Sequence, residues 1–257
     1  MLHPRIIPCL LISDNGLVKT KQFKDKKYVG DPINAIRIFN EKKSDELIVL
    51  DIDATSKHIE IDLEKIKKFA AECRMPLCYG GGIKSVEQAK SIISLGVEKV
   101  AISSSAIEDD GIIKDMANEI GSQSVVVVLD VKKNMFGKYI IYTHNGKKNT
   151  GVELNEMIKR VQENGAGEIV INSIDNDGIM AGYDMKLAKS LKKTVSVPLT
   201  IIGGAGSYED LKTLIEECGI IGAAAGSLFV FKGVYRAVLI NYPDQKLKKS
   251  ILNLNYE

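Results

Sequence analysis

The chain has 257 residues, 45% hydrophobic and 26% charged, with a formal net charge of +2. So small a charge, spread over scattered pairs such as Lys26-Lys27, Lys67-Lys68 and Lys147-Lys148, excludes a nucleic-acid-binding face, and no apolar run approaches the roughly 18 residues of a membrane span. Cys9, Cys73, Cys78 and Cys218 have no CxxC spacing and suit free thiols in a reducing compartment, not disulfides or zinc; no cofactor and no metal is expected.

The start, Met1-Leu2-His3-Pro4-Arg5, is followed by an apolar pair that Pro8 cuts short, so no secretory signal is expected and the default location is cytoplasmic. Arg5–Leu11 is the first of eight short apolar runs. The polar stretch Ser13–Gly30 follows, carrying Lys19, Lys21, Lys24, Lys26 and Lys27, and reads either as a lid over an anionic substrate or as a solvated hairpin. Asp31-Pro32, an N-cap with proline at the first helical position, opens the first helix. Further strands are expected at Glu46–Asp51, Pro76–Gly80, Lys99–Ser103, Val125–Asp130, Glu168–Asn172, Pro198–Ile202 and Gly222–Gly226, with amphipathic helical patterns between them. Their near-continuous apolarity, greatest in Val125-Val126-Val127-Val128-Leu129, marks strands covered on both faces in a parallel sheet. Eight such units in this length predict an α/β fold, a single (β/α)8 TIM barrel over residues 1–257.

The barrel is written in two halves. Residues 76–105 and 198–227 are nearly the same segment: Pro76-Leu77, Gly81-Gly82, Ser85, Glu87 and Lys90 recur as Pro198-Leu199, Gly203-Gly204, Ser207, Glu209 and Lys212 at a constant offset of 122 residues. Glu46 and Glu168 keep the same offset. A period this long is not a solenoid, whose units run to roughly 20–50 residues. It predicts half-barrels of about 1–122 and 123–245, followed by a tail over 246–257.

In such barrels chemistry gathers at the C-terminal strand ends. Gly80-Gly81-Gly82 after the third strand and Gly203-Gly204-Ala205-Gly206 after the seventh each open a helix, where backbone N–H groups and the helix dipole favour a phosphate. Ser103-Ser104-Ser105 and Gly226-Ser227 would complete the two cradles, predicting a ligand phosphorylated at both ends. The acid–base candidates are Asp51, Asp53, Asp130, Asp175 and Asp177. Asp130 caps the most apolar strand, so its pKa should rise, unless it serves as an N-cap or a partner for Lys132. His144 reads as a surface loop residue. At the opposite end Arg5, Glu46, Lys99 and Glu168 begin the first, second, fourth and sixth strands with alternating sign, forming either a stabilising plug or a functional ring.

Over essentially its whole length the chain resembles the HisF family, the cyclase subunits of imidazole glycerol phosphate synthase. The resemblance is carried by Arg5-Ile6-Ile7-Pro8-Cys9-Leu10, Val18-Lys19, Gly30-Asp31-Pro32, Gly80-Gly81-Gly82-Ile83, Tyr142-Thr143-His144, Asp177-Gly178, Gly182-Tyr183-Asp184 and Gly203-Gly204-Ala205-Gly206. It implies a bisphosphorylated substrate at the barrel top, with Gly82, Ser103, Ser104, Gly178, Gly204, Gly226 and Ser227 in the phosphate sites and Asp130 and Lys19 as catalytic residues. It also implies a HisH-like glutaminase docked at the barrel bottom near Glu98, and Arg5, Glu46, Lys99 and Glu168 as a gate for the ammonia it releases.

The chain departs from the family where the chemistry lies. Leu11 stands at the first strand's catalytic aspartate, Asn172 replaces a threonine, Ile202 replaces a serine, and Ser103-Ser104 replaces asparagine-threonine. Loss of an acid–base group costs about 100- to 10,000-fold in rate. The pattern is similar to the HisF-like proteins of surface-polysaccharide clusters, which implies that ammonia passes to an N-acetyl-sugar amidotransferase. Two rivals stand beside this reading: a working cyclase in which Asp14 or Asp177 replaces the missing aspartate, and a non-catalytic scaffold that activates a glutaminase.

Overall fold

The computed structural model describes residues 3–109, 111–233 and 235–252. Met1 and Leu2 of the expected leaderless start, and positions 253–257 of the expected tail, lie outside these. Eight parallel strands, Arg5–Ser13, Leu47–Asp51, Leu77–Gly80, Lys99–Ile102, Val125–Lys133, Glu168–Ser173, Leu199–Ile202 and Gly222–Ala225, pair in chain order. Arg5 registers with Gly222 and Glu168 with Val126, so the sheet closes on itself. Helices between the strands pack outside, with Ile36, Phe39, Ile66, Phe69, Ile92, Met116, Leu187 and Leu211 buried against the outward strand residues. No helix among the described residues is long and apolar enough to cross a membrane.

The inward strand residues form a separate apolar filling of Ile7, Cys9, Ile48, Cys78, Ala101, Val126, Val128, Val170, Ile202 and Ala224. Strand alternation explains the division, because successive side chains point to opposite faces. The eight strands crowd the axis on the side of the last strand, where at Gly222 a Cβ would lie 2.0 Å from the Thr200 Oγ1.

The expected strand limits hold within a residue or two except in the first and fifth strands, which both run on past the barrel rim. Ser13 pairs with Gly16 across Asp14-Asn15, at φ 48° and 63°, and Lys21 with Lys24 across Gln22-Phe23, at φ 52° and 61°. Two-residue hairpins demand such left-handed pairs. The stretch 13–30 is therefore a continuation of the first strand into an antiparallel meander with Gly16–Lys21 and Lys24–Gly30. The fifth strand extends likewise against Tyr139–Thr143, which pairs with Lys148–Glu153. Each half-barrel thus carries the same addition after its first strand.

The repeat is visible in the caps as well. Ser85 caps the helix Val86–Ser94 with φ −144° and ψ 160°, and Ser207 caps Tyr208–Cys218 with φ −142° and ψ 163°. At the expected tail, Gln245–Leu252 is a helix with Ile251 and Leu252 buried, and Lys248 pairs with Asp45 at 2.7 Å.

Candidate active site and charged ring

The lower end of the barrel is closed by charge. Arg5 Nη1 donates to Glu46 and its Nη2 to Glu168 Oε1 at 2.8 Å, while Lys99 Nζ reaches Glu46 Oε1 at 2.7 Å and Glu168 Oε2 at 2.8 Å. Each cation therefore bridges both acids. Thr200 Oγ1 adds a hydrogen bond to Glu168 Oε1 at 2.7 Å. Glu46 and Glu168 are buried, at 3% and 4% exposure, so their charges depend on these partners. Burial alone would raise the Glu168 pKa, but the charges and hydrogen bonds of Arg5 and Lys99 outweigh it and hold the carboxyl below its ordinary range. Burial would lower the Arg5 and Lys99 pKa values, yet Glu168 and Glu46 drive both upward. Glu98, next to the ring, is exposed.

Above the ring the barrel interior is apolar up to the opposite mouth, where a cleft is lined by residues from all eight strand ends. Gly82, Ser103 and Ser104 line one side, and Gly178, Gly204, Gly226 and Ser227 line another. Gly81 and Gly82 have φ 123° and 74°, and Gly203 and Gly204 have φ 97° and 114°, so the two copies turn alike. Their glycines are demanded by the chain itself: a Cβ at Gly81 would meet the Asp51 carbonyl oxygen at 2.3 Å, and one at Gly204 the Gly182 carbonyl oxygen at 2.1 Å. Ser103 makes no side-chain cap bond to the helix Ser104–Glu108, whereas the Ser105 hydroxyl is used on the Ile83 carbonyl at 2.8 Å. Of the three serines, Ser105 therefore serves the fold.

Lys19 lies inside the meander strand Gly16–Lys21. It is buried, and its Nζ donates to the Cys9 carbonyl at 2.5 Å. Burial lowers its pKa, against the opposing pull of nearby Cys9 and Asp177. A Cβ on Gly226 would lie 2.5 Å from this Nζ, so glycine at 226 makes room for the cation beside the second cradle.

Asp130 is half-buried at the end of the fifth strand, facing the cleft. Desolvation pushes its pKa up to about 7, with Asp177 adding to the rise and the Asn172 hydrogen bond opposing it. That bond runs from Asn172 Nδ2 to Asp130 Oδ1 at 3.1 Å. Lys132 makes no such contact, and Asp130 caps no helix, so the two structural alternatives for Asp130 fall away. On the diametrically opposed strand, Leu11 packs against the interior filling beside Leu50, its register partner.

The other acids separate by their partners. Asp53 is buried and accepts from Ser13, the Asp14 amide, Lys26 and Lys57, so its pKa is driven far down despite the desolvation of burial, and it pins the meander instead of moving protons. Asp51 accepts from the Asp53 and Ala54 amides, and Asp175 from the Lys133 amide. Asp177 lines the cleft with its pKa raised by burial, while accepting from Thr20 Oγ1 at 2.8 Å and the Phe23 amide at 3.1 Å. Asp14 is exposed and paired with Lys57.

His144 corrects its sequence reading: it is half-buried and lines the cleft. The cause is its neighbour Asn145, whose Nδ2 donates to the Ile52 carbonyl at 2.7 Å and folds the hairpin tip over the mouth. Asn145 was not among the expected site residues; the only local signal for it is an Asn-Gly pair at a turn, here at φ 57° and 71°.

The family described as histidine biosynthesis protein matches residues 5–236. The imidazole glycerol phosphate synthase subunit HisF of Alkaliphilus metalliredigens is 40% identical over 91% of this chain and 93% of its own. The chain belongs to the HisF family. Higher identity is found with two proteins provisionally named as subunits of the same synthase. HisF of Leptospira borgpetersenii is 56% identical over 98% of this chain and 99% of that protein, and hisF3 of Vibrio vulnificus is 55% identical over 99% and 98%. Membership of the HisF family accords with the eight-stranded barrel.

Proposed function

We propose that the chain is an ammonia-conducting HisF-type subunit that takes ammonia from a HisH-like glutaminase at its lower face and delivers it for amidation of a surface-polysaccharide sugar by a separate N-acetyl-sugar amidotransferase. The observation that carries this reading is the pairing of an intact four-residue ring with Leu11 at the mouth, opposite Asp130.

Each residue has a task in this reading. Glu98 offers an exposed acid to the glutaminase, and Arg5, Glu46, Lys99 and Glu168 form the gate. Ammonia enters when one cation swings from its two acids, a motion open to Lys99, which is 17% exposed and rests on a flexible stem. The apolar interior admits neutral ammonia and rejects ammonium, because a charge there has no partner. Gly82, Ser103, Ser104, Gly178, Gly204, Gly226 and Ser227 hold phosphate groups or phosphate ions with backbone and hydroxyl donors, with Lys19 supplying positive charge. Asp130, poised near neutrality, moves a proton at the exit, and without a second carboxylate at position 11 two-step acid–base chemistry is crippled.

The test combines the purified chain and its glutaminase with the bisphosphorylated ribonucleotide of the histidine pathway and ammonium salt. Turnover at ordinary enzyme rates would sink the proposal. The rival cyclase reading is favoured by one observation, the raised pKa of the cleft-lining Asp177. It requires Asp177→Asn to abolish that turnover.

A further inference from the structure

The buried side-chain acceptor of Asn172 has no hydrogen-bond partner. Asn172 is 8% exposed, stands at the inner end of the cleft, and spends an N–H of its amide on Asp130. A desolvated carbonyl oxygen without a donor is costly, and such a group in a cleft calls for a ligand that donates. A Cβ on Gly203 would lie 3.5 Å from this Oδ1, so glycine at 203 leaves space beside the buried oxygen.

We infer that Asn172 Oδ1 and the Asp130 carboxylate together form a binding site for ammonia or the ammonium ion at the upper end of the barrel. The site is rich in acceptors. One Asn172 N–H is spent on Asp130, and the nearby Lys19 ammonium is held by the Cys9 carbonyl at 2.5 Å. An anion such as phosphate is repelled there, whereas a small cation with several N–H bonds satisfies both residues at once.

Its place in the barrel fits the same ligand. On the fifth strand Val126, Val128 and Asp130 face inward, and on the sixth Glu168, Val170 and Asn172; Asp130 registers with Asn172 and Val128 with Val170. Travelling up from the ring, a small molecule passes the valines and then reaches these two acceptors. Protonation of ammonia at this point is assisted by Asp130, whose carboxyl titrates near neutrality. In balanced form, the carboxylic acid gives its proton to the nitrogen lone pair and becomes the carboxylate that holds the resulting ammonium; handing ammonia on reverses the transfer.

The choice of ligand rests on the ammonia-conducting reading, and the experiment separates the two. The full chain, labelled with carbon-13 at aspartate carboxyls, is titrated with ammonium chloride replacing potassium chloride at constant ionic strength and mildly alkaline pH. The Asp130 carboxyl resonance is expected to shift and saturate with ammonium, potassium being the similarly sized cation without N–H bonds. Asn172→Leu should weaken the apparent affinity roughly tenfold or more. Asn172→Ser, which keeps an oxygen in a small side chain, should lie between, and provides a folded comparison should the leucine variant fail to fold. An equal response to both salts, or an unchanged affinity in Asn172→Leu and Asn172→Ser, overturns the inference. If saturation persists while ring variants leave glutamine-dependent product unaffected, the site stands and conduction through the barrel falls.

Discussion

Replacing Lys99 by methionine should destabilise the fold through electrostatics while nearly preserving side-chain volume. The ring holds two acids, at 3% and 4% exposure, between two cations, and Lys99 touches both acids at 2.7 and 2.8 Å. Removing it leaves two buried carboxylates to share Arg5. Breaking a buried pair on one side costs about 3–5 kcal/mol, and the partial exposure of Lys99 and Arg5, 17% and 25%, places the loss at the lower end, about 3 kcal/mol. For a chain of this size that is a fall in Tm of roughly 6–12 °C. The pH dependence distinguishes charge from packing. The depressed pKa of Glu168 stabilises the fold above the unfolded carboxyl value of about 4.3 and ceases to do so as pH falls through the folded value. Without Lys99 the folded pKa climbs, so less stability is lost on acidification and the gap to wild type narrows. Urea unfolding followed by circular dichroism from neutral to acid pH measures this. Lys84→Met, at an exposed pair 3.9 Å apart, is the control and should change stability far less. A Lys99→Met protein within about 0.5 kcal/mol of wild type at neutral pH, or a gap that stays constant on acidification, refutes the reasoning.

Asp130 tests the opposite sign. Its folded pKa of about 7 lies above the unfolded value of about 3.9, so ionising it costs stability as pH rises between the two, and Asp130→Asn should be about 2 kcal/mol more stable than wild type near pH 8, after discounting for the open mouth, with the advantage vanishing near pH 4. Thermal unfolding at the two pH values decides it. Gly204→Ala should lose more than about 2 kcal/mol, because it combines φ 114° with a 2.1 Å approach to the Gly182 carbonyl oxygen, while Gly219→Ala, at φ 69° with open space around it, should lose about 1 kcal/mol. Ser207→Ala breaks a reciprocal capping box with Asp210 and should cost about 1 kcal/mol in chemical denaturation.

The charged ring was legible because each member opens a run of apolar residues, and strand alternation then turns all four inward. Asp130 was legible because it closes the most apolar run, in phase with the inward Val126 and Val128. Asp53 was not distinguishable from it, since both are acids near a strand end, and only the arrival of Lys26 from the meander and Lys57 from the following turn makes Asp53 a buried anchor. His144 was misread because its place depends on Asn145 reaching the Ile52 carbonyl, ninety-three positions away in sequence. The meander had a local signal in Asp14-Asn15-Gly16, a two-residue turn sequence. Its surrounding lysines suggested solvent, yet Lys19 alternates inward and is buried.

The two half-barrels differ at the mouth by neighbouring pairs, which a comparison of single positions misses. Leu11 registers with Leu50, and both pack on the interior filling; Asp130 registers with Asn172, and the two share a hydrogen bond. One wall of the upper barrel is thus apolar through two adjacent strands, and the wall across from it is polar through two. An aspartate at position 11 alone would enter an apolar wall whose register partner, Leu50, cannot hydrogen-bond to it, and would be held protonated by desolvation. On the proposed route of ammonia through the interior, the acceptors would lie on the side of the fifth and sixth strands, and with leucine at position 11 proton transfer would fall to Asp130.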